Sequence, residues 1–186
     1  GVIGRNPKAS SDWPPGSGFA DPGPGGTDPI AMTGRLIAQV EDDWHPPAPD
    51  TSPTIVQPGK TLAELAKELD RLDEWGQGGG MLRTESIPAG NSTGLTVKLH
   101  GHLRRRLPSW PGYASASAAV KREWDQMIIK LTAHEQRHMD IAIAHGDDLA
   151  TALVGNDIGV IAKMVTEANR QMAADQQQLD ADTDNG

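Results

Sequence analysis

With 186 residues and a mass of 19.8 kDa, the chain has room for one ordinary domain, or for a smaller one with a tail. Its formal net charge of −8 and pI near 5.1 argue against a general nucleic-acid binder. It has no Cys, which excludes a disulfide scaffold and a thiolate zinc site, so any metal must be held by His, Asp or Glu.

Apolar runs are short, Met127-Ile128-Ile129 being typical, so no membrane span is expected. The first residues lack the charged-then-apolar pattern of a signal peptide. A processed exported chain would lack it too, so export stays open.

Residues 1–50 hold nine of the fourteen prolines and eight of the twenty-one glycines. The run Asp21-Pro-Gly-Pro-Gly-Gly-Thr-Asp-Pro29 suits neither a helix nor an inner strand. Residues 1–52 therefore read as an extended arm or linker, and residues 53–186 as the folded domain. Trp13, Phe19 and Trp44 are isolated aromatics in the arm, with two readings open: docking onto the domain or a protein partner, or loose decoration.

Regular structure is expected from about Thr54. Thr61 and Glu64 form a capping box, and Leu62, Leu65, Leu69 and Leu72 line one helical stripe. Gly76 to Gly80 reads as a flexible loop ending that helix. Leu82–Ile87 and Leu95–His100 read as strands joined by a turn-rich segment, and Leu107 to Gly112 stops the second. Ser115 or Ser117 caps a long helix with Val120, Trp124, Met127, Ile128, Leu131, Ile141 and Leu149 inward. Gly155-Asn156-Asp157 makes a turn and a new cap, and the last helix points Ile161, Met164, Val165, Ala168, Met172 and Leu179 inward. This order predicts an α+β domain, a small antiparallel sheet packed on two long antiparallel helices.

His134-Glu135-Gln136-Arg137-His138 matches H-E-x-x-H inside the long helix. Histidines at i and i+4 lie one turn apart on one face, so both rings can reach one Zn²⁺. Glu135, beside the first ligand, can take a proton from a water on that ion. The apolar stripe runs into both histidines, and two unpartnered imidazoles on an inner face are costly unless something satisfies them. The plainer reading is a pair of core or surface histidines hydrogen-bonded to neighbours.

A zinc hydrolase needs a third protein ligand. On an unbroken helix His145 lies about 10 Å beyond His138, too far to share the ion. A last helix folding back about Gly155 brings residues 172–176 opposite the motif. Asp175, a carboxylate on the apolar stripe, is the expected third ligand, with a salt bridge as its plainer reading. Glu167 and Asp180 are weaker candidates.

His100 and His102 share a face at strand spacing, either over the metal or at the surface. Arg104-Arg105-Arg106 reads as a solvated cluster or a contact for an acidic partner. Tyr113 is a candidate oxyanion donor. Asn91-Ser-Thr93 is a glycosylation sequon without meaning in a bacterial chain.

Four pieces in order resemble a known bacterial family of unknown function, described as predicted secreted zinc-dependent proteases. They are Pro58-Gly-Lys-Thr-Leu-Ala-Glu-Leu65, Leu107-Pro-Ser-Trp110, Trp124 ahead of the His134–His138 motif, and the tail from Asp175 to Gly186. The likeness spans roughly residues 54–186. It implies a zincin-like metallopeptidase domain, exported to the cell surface, periplasm or medium, acting on a peptide or protein. It implies the usual metalloprotease roles for His134, Glu135 and His138. The chain departs from the family tail at Leu179, where the family has Tyr, and at Asn185, where it has His. Three functions are weighed: a zinc peptidase with Glu135 as general base, a catalytically silent module of an exported assembly stabilised by zinc, or a metal-free interaction domain.

Overall fold

The computed structural model describes residues 39–40, 45–55, 61–72, 74–88 and 95–183. Most of the expected arm, with Trp13, Phe19 and Trp44, lies outside the described residues, as do Pro58 to Lys60, the sequon and Asn185.

The elements are β1 (Gln39–Val40), β2 (Thr54–Ile55), α1 (Leu62–Leu69), β3 (Gln77–Pro88), β4 (Leu95–Arg106), β5 (Pro108–Ser109), α2 (Ala118–Leu153) and α3 (Ile158–Asp182). A short 3₁₀ turn, Tyr113–Ser115, precedes α2. The architecture is α+β: an antiparallel β3–β4 pair with two long helices, as the sequence predicts. Strand β1 adds to β4 in parallel, with Val40 opposite Val97. Backbone bonds from Asp50 to Leu103 and Arg105 pin a second point on the same edge. Residues 39–40 and 50, inside the segment expected to be an arm, thus pair with the sheet.

The helix boundaries follow local chemistry. Thr61 and Glu64 form the full capping box of α1. The Ser117 hydroxyl accepts from Val120 N–H and opens α2, and Asp157 accepts from Gly159 N–H and opens α3. Gly155, at φ 74°, takes the left-handed turn between them.

Strand β3 begins earlier than its apolar pattern predicts. Gly78, Gly79 and Gly80 lie inside it and not in a loop. A Cβ on Gly78 would stand 2.5 Å from the Glu135 carbonyl oxygen and 2.8 Å from His138 Cβ. Glycine here is a requirement of close strand-to-helix approach. Strand β4 also outruns its expected end, because its arginines are engaged. Arg104 donates to Gln77, Arg105 to Gln136, and Arg106 pairs with Asp50. The arginine cluster is built into the fold.

Leu82, Val97 and Leu99 pack against Leu149 and Leu153 of α2 and Ile161 of α3. Leu103, Ala142 and Met172 continue this layer towards the H-E-x-x-H motif. Leu65 and Leu69 of α1 form a separate cluster with Trp110 and Trp124 at the N-terminal half of α2. The outer edge of β3 is closed by a side chain. Asn169 of α3 accepts from Leu82 N–H at 2.9 Å and donates to Leu82 C=O at 2.8 Å, as a neighbouring strand would.

Candidate metal centre

Helix α2 runs unbroken through the motif, so His134 and His138 project from one face into the interior, 7% and 6% exposed. Their Nε2 atoms are 3.0 Å apart. Asp180 Oδ1, from the last turn of α3, lies 3.2 Å from His134 Nε2 and 2.9 Å from His138 Nε2. Among the described residues, these three form the group that could hold a metal ion.

The donor set fits Zn²⁺. Two imidazole nitrogens and a carboxylate oxygen are ordinary zinc ligands. Donors around a tetrahedral ion with bonds of about 2.0–2.1 Å stand roughly 3.3 Å from one another, near the spacings seen here. Two ring nitrogens at 3.0 Å can share at most one proton, so a cation between them removes a conflict of lone pairs.

The structure does not bring Asp175 to the pair. Its carboxylate lies 2.7 Å from His145 Nε2 and its side chain is 61% exposed. The expectation assumed a hairpin symmetric about Gly155. Instead α3 is staggered: its first buried residue, Ile161, packs with Leu149 and Leu153, and the residue facing the motif moves five positions on, to Asp180. His145 is held by Asp175, away from the pair. Glu167 bonds Arg170 and Gln171 on the exposed face of α3.

Glu135 is 4% exposed, and its carboxylate is enclosed by the segment leading into β3. A Cβ on Gly76 would meet Glu135 Cδ at 2.8 Å, and one on Gly78 would meet Oε2 at 2.7 Å. Burial pushes the Glu135 carboxyl up to about 8, and the charges of Glu74 and Asp180 add to the push. Burial opposes ionisation of Asp180 too, but the histidine pair facing its Oδ1, His134 and His138, outweighs it and holds that carboxyl down at about 2.

Glu74, just before β3, went unnoticed in the sequence. Its carboxyl is raised by burial and by the charge of Asp180, so it belongs to the same electrostatic neighbourhood. No motif marks it. Thr183 also went unassigned; its hydroxyl oxygen lies 3.3 Å from His134 Nδ1.

The remaining candidates lie elsewhere. His100 Nε2 pairs with Glu85, and both His100 and His102 sit on the sheet face opposite Val97, Leu99 and Leu103. Tyr113 donates to Asp125 at 3.0 Å and packs edge-on against Trp110.

The model of a family described as bacterial protein of unknown function (DUF922) matches residues 56–186. The chain belongs to this family. The DUF922 match takes in every residue of the centre, from Glu74 through the motif to Asp180 and Thr183. No curated protein and no solved structure matches the chain. No described helix of this DUF922 member is long and apolar enough to cross a membrane.

Proposed function

We propose that this protein is a zinc-dependent peptidase in which His134, His138 and Asp180 hold the ion and Glu135 is the general base. The observation that carries the reading is the convergence of two Nε2 atoms and Asp180 Oδ1 within 3.2 Å, beside a buried Glu135. A bound Zn²⁺ would supply Lewis acidity towards a carbonyl and lower the pKa of water. Glu135 takes the proton of the attacking water and returns it to the leaving amine. Gly76 and Gly78, having no Cβ, leave the room that its carboxylate occupies. The H-E-x-x-H motif favours a peptide as substrate. The sequence likeness to predicted secreted proteases favours an exported protein.

A second reading also has an observation behind it. Asp180 comes from the end of α3 and the histidines from the middle of α2, so an ion would clamp the two helices. In that reading the protein is a zinc-stabilised module without activity. Digestion of a broad peptide library by the parent and by Glu135→Gln, at matched zinc occupancy, separates the two. A peptidase cleaves and the variant does not. A parent that cleaves nothing leaves the clamp.

A further inference from the structure

The environments of the two histidines are unequal. His138 Nδ1 is buried with no hydrogen-bond partner, whereas His134 Nδ1 faces the hydroxyl of Thr183 at 3.3 Å. That hydroxyl also lies 2.7 Å from the Leu179 carbonyl oxygen, which can only accept. A hydroxyl has one proton, and the shorter contact takes it. Towards His134 the Thr183 oxygen is therefore an acceptor, and His134 Nδ1 must carry the hydrogen.

We propose that Thr183 is a positioning residue for His134. Its hydroxyl holds the imidazole in the tautomer with hydrogen on Nδ1, which leaves the Nε2 lone pair turned towards His138 and Asp180. In the other tautomer an Nε2 hydrogen would occupy the space between the two rings, where an ion is to sit. A metal-binding histidine is commonly fixed through its second nitrogen in this way. The geometry ties the end of α3 to the motif twice, through Asp180 as ligand and through Thr183 as orienter. The role in metal binding rests on the zinc reading above; the tautomer assignment stands apart from it.

The test uses the full chain, Thr183→Val and Thr183→Ser. Valine keeps the branched shape and the backbone bonds from Thr183 N–H to Leu179 and Asp180, but cannot accept from His134. Serine restores the hydroxyl. Ring ¹⁵N shifts of metal-free protein at about pH 8.5, above the ordinary histidine range, report the tautomer. Chelator competition reports zinc affinity, and far-UV circular dichroism checks the fold. Parent and Thr183→Ser should carry the His134 hydrogen on Nδ1, and Thr183→Val should lose that preference and bind zinc about 10-fold more weakly. An Nε2 hydrogen in the parent overturns the proposal, as does a folded valine variant with parental tautomer and affinity. A serine variant as weak as valine overturns it too, since shape and not the hydroxyl would then matter. A parent that takes no zinc but shows the Thr183-dependent tautomer defeats the zinc reading and leaves the positioning role standing.

Discussion

Asp180 Oδ1 lies 2.9 Å from His138 Nε2, across forty-two residues of chain and between two helices. The contact fixes the register of α3 on α2 at the motif. Asp175, five residues earlier, meets His145 instead. Asp180→Ala should therefore weaken zinc binding by more than the about 10–100-fold typical of losing a supporting hydrogen bond. Asp175→Ala should leave affinity near that of the parent. Competition with a fluorescent chelator measures both, and equal affinities in the two variants would remove Asp180 from the ligand set.

Glu135→Gln keeps the shape of the side chain and removes the proposed base. Hydrolysis should fall by about 100-fold or more, while zinc content and melting temperature are retained or raised, since a buried acid is replaced by a neutral amide. Equal cleavage by parent and variant would mean that another group takes the proton.

The glycines flanking Glu135 should differ in effect. A Cβ at Gly78 meets the backbone carbonyl of Glu135, which cannot move without moving α2. Gly78→Ala should cost about 1–3 kcal/mol as overpacking. A Cβ at Gly76 meets only side-chain atoms of Glu135, from Cγ out to the carboxylate, and no backbone. Gly76→Ala should spare stability and depress kcat by displacing the base. Urea unfolding and steady-state kinetics on both variants check this split.

Metal-free protein should lose stability as pH rises through the range set by Glu135. Its carboxyl is raised from an ordinary 4.5 to about 8 in the folded state. Between those values the folded protein holds a proton that the unfolded chain releases, so stability falls as pH rises from about 4.5 to about 8. Asp180 acts in the opposite sense and lower down: its contribution is present above 3.8 and is lost as pH falls towards 2. The difference in unfolding free energy between parent and Glu135→Gln should therefore move against the parent across the upper window, by a few kcal/mol at most. A difference that stays flat from pH 5 to 8 would show that Glu135 is not held protonated.

The sequence made the α+β order, the caps at Thr61 and Asp157, a serine cap at 115 or 117, and the inward pair His134 and His138 legible, because each is a local pattern. Two features depended on distant contacts. The run Gly78-Gly79-Gly80 reads as a loop until α2 lies beneath it, and only then does the missing Cβ explain a strand. The third donor depended on the stagger between helices, which no residue near Gly155 encodes. A signal was nevertheless present. Asn169, Gln176, Asp180 and Thr183 fall within about 60° of azimuth at 100° per residue, a polar stripe beside the apolar one. That stripe faces β3 and the motif: Asn169 bonds Leu82, Gln176 lies over Gly79, and Asp180 and Thr183 meet His134. Asp175 falls on the other side of Met172.

The metal content of the full chain, purified without an affinity metal, loaded with zinc and dialysed, tests the central claim most directly. Mass spectrometry should find close to one Zn²⁺ per chain in the parent and almost none in His138→Ala, whose melting temperature should no longer respond to chelator. Zinc near zero in the parent, with parent and variant melting alike with and without chelator, would contradict the account and leave His134, His138 and Asp180 as a buried hydrogen-bonded cluster.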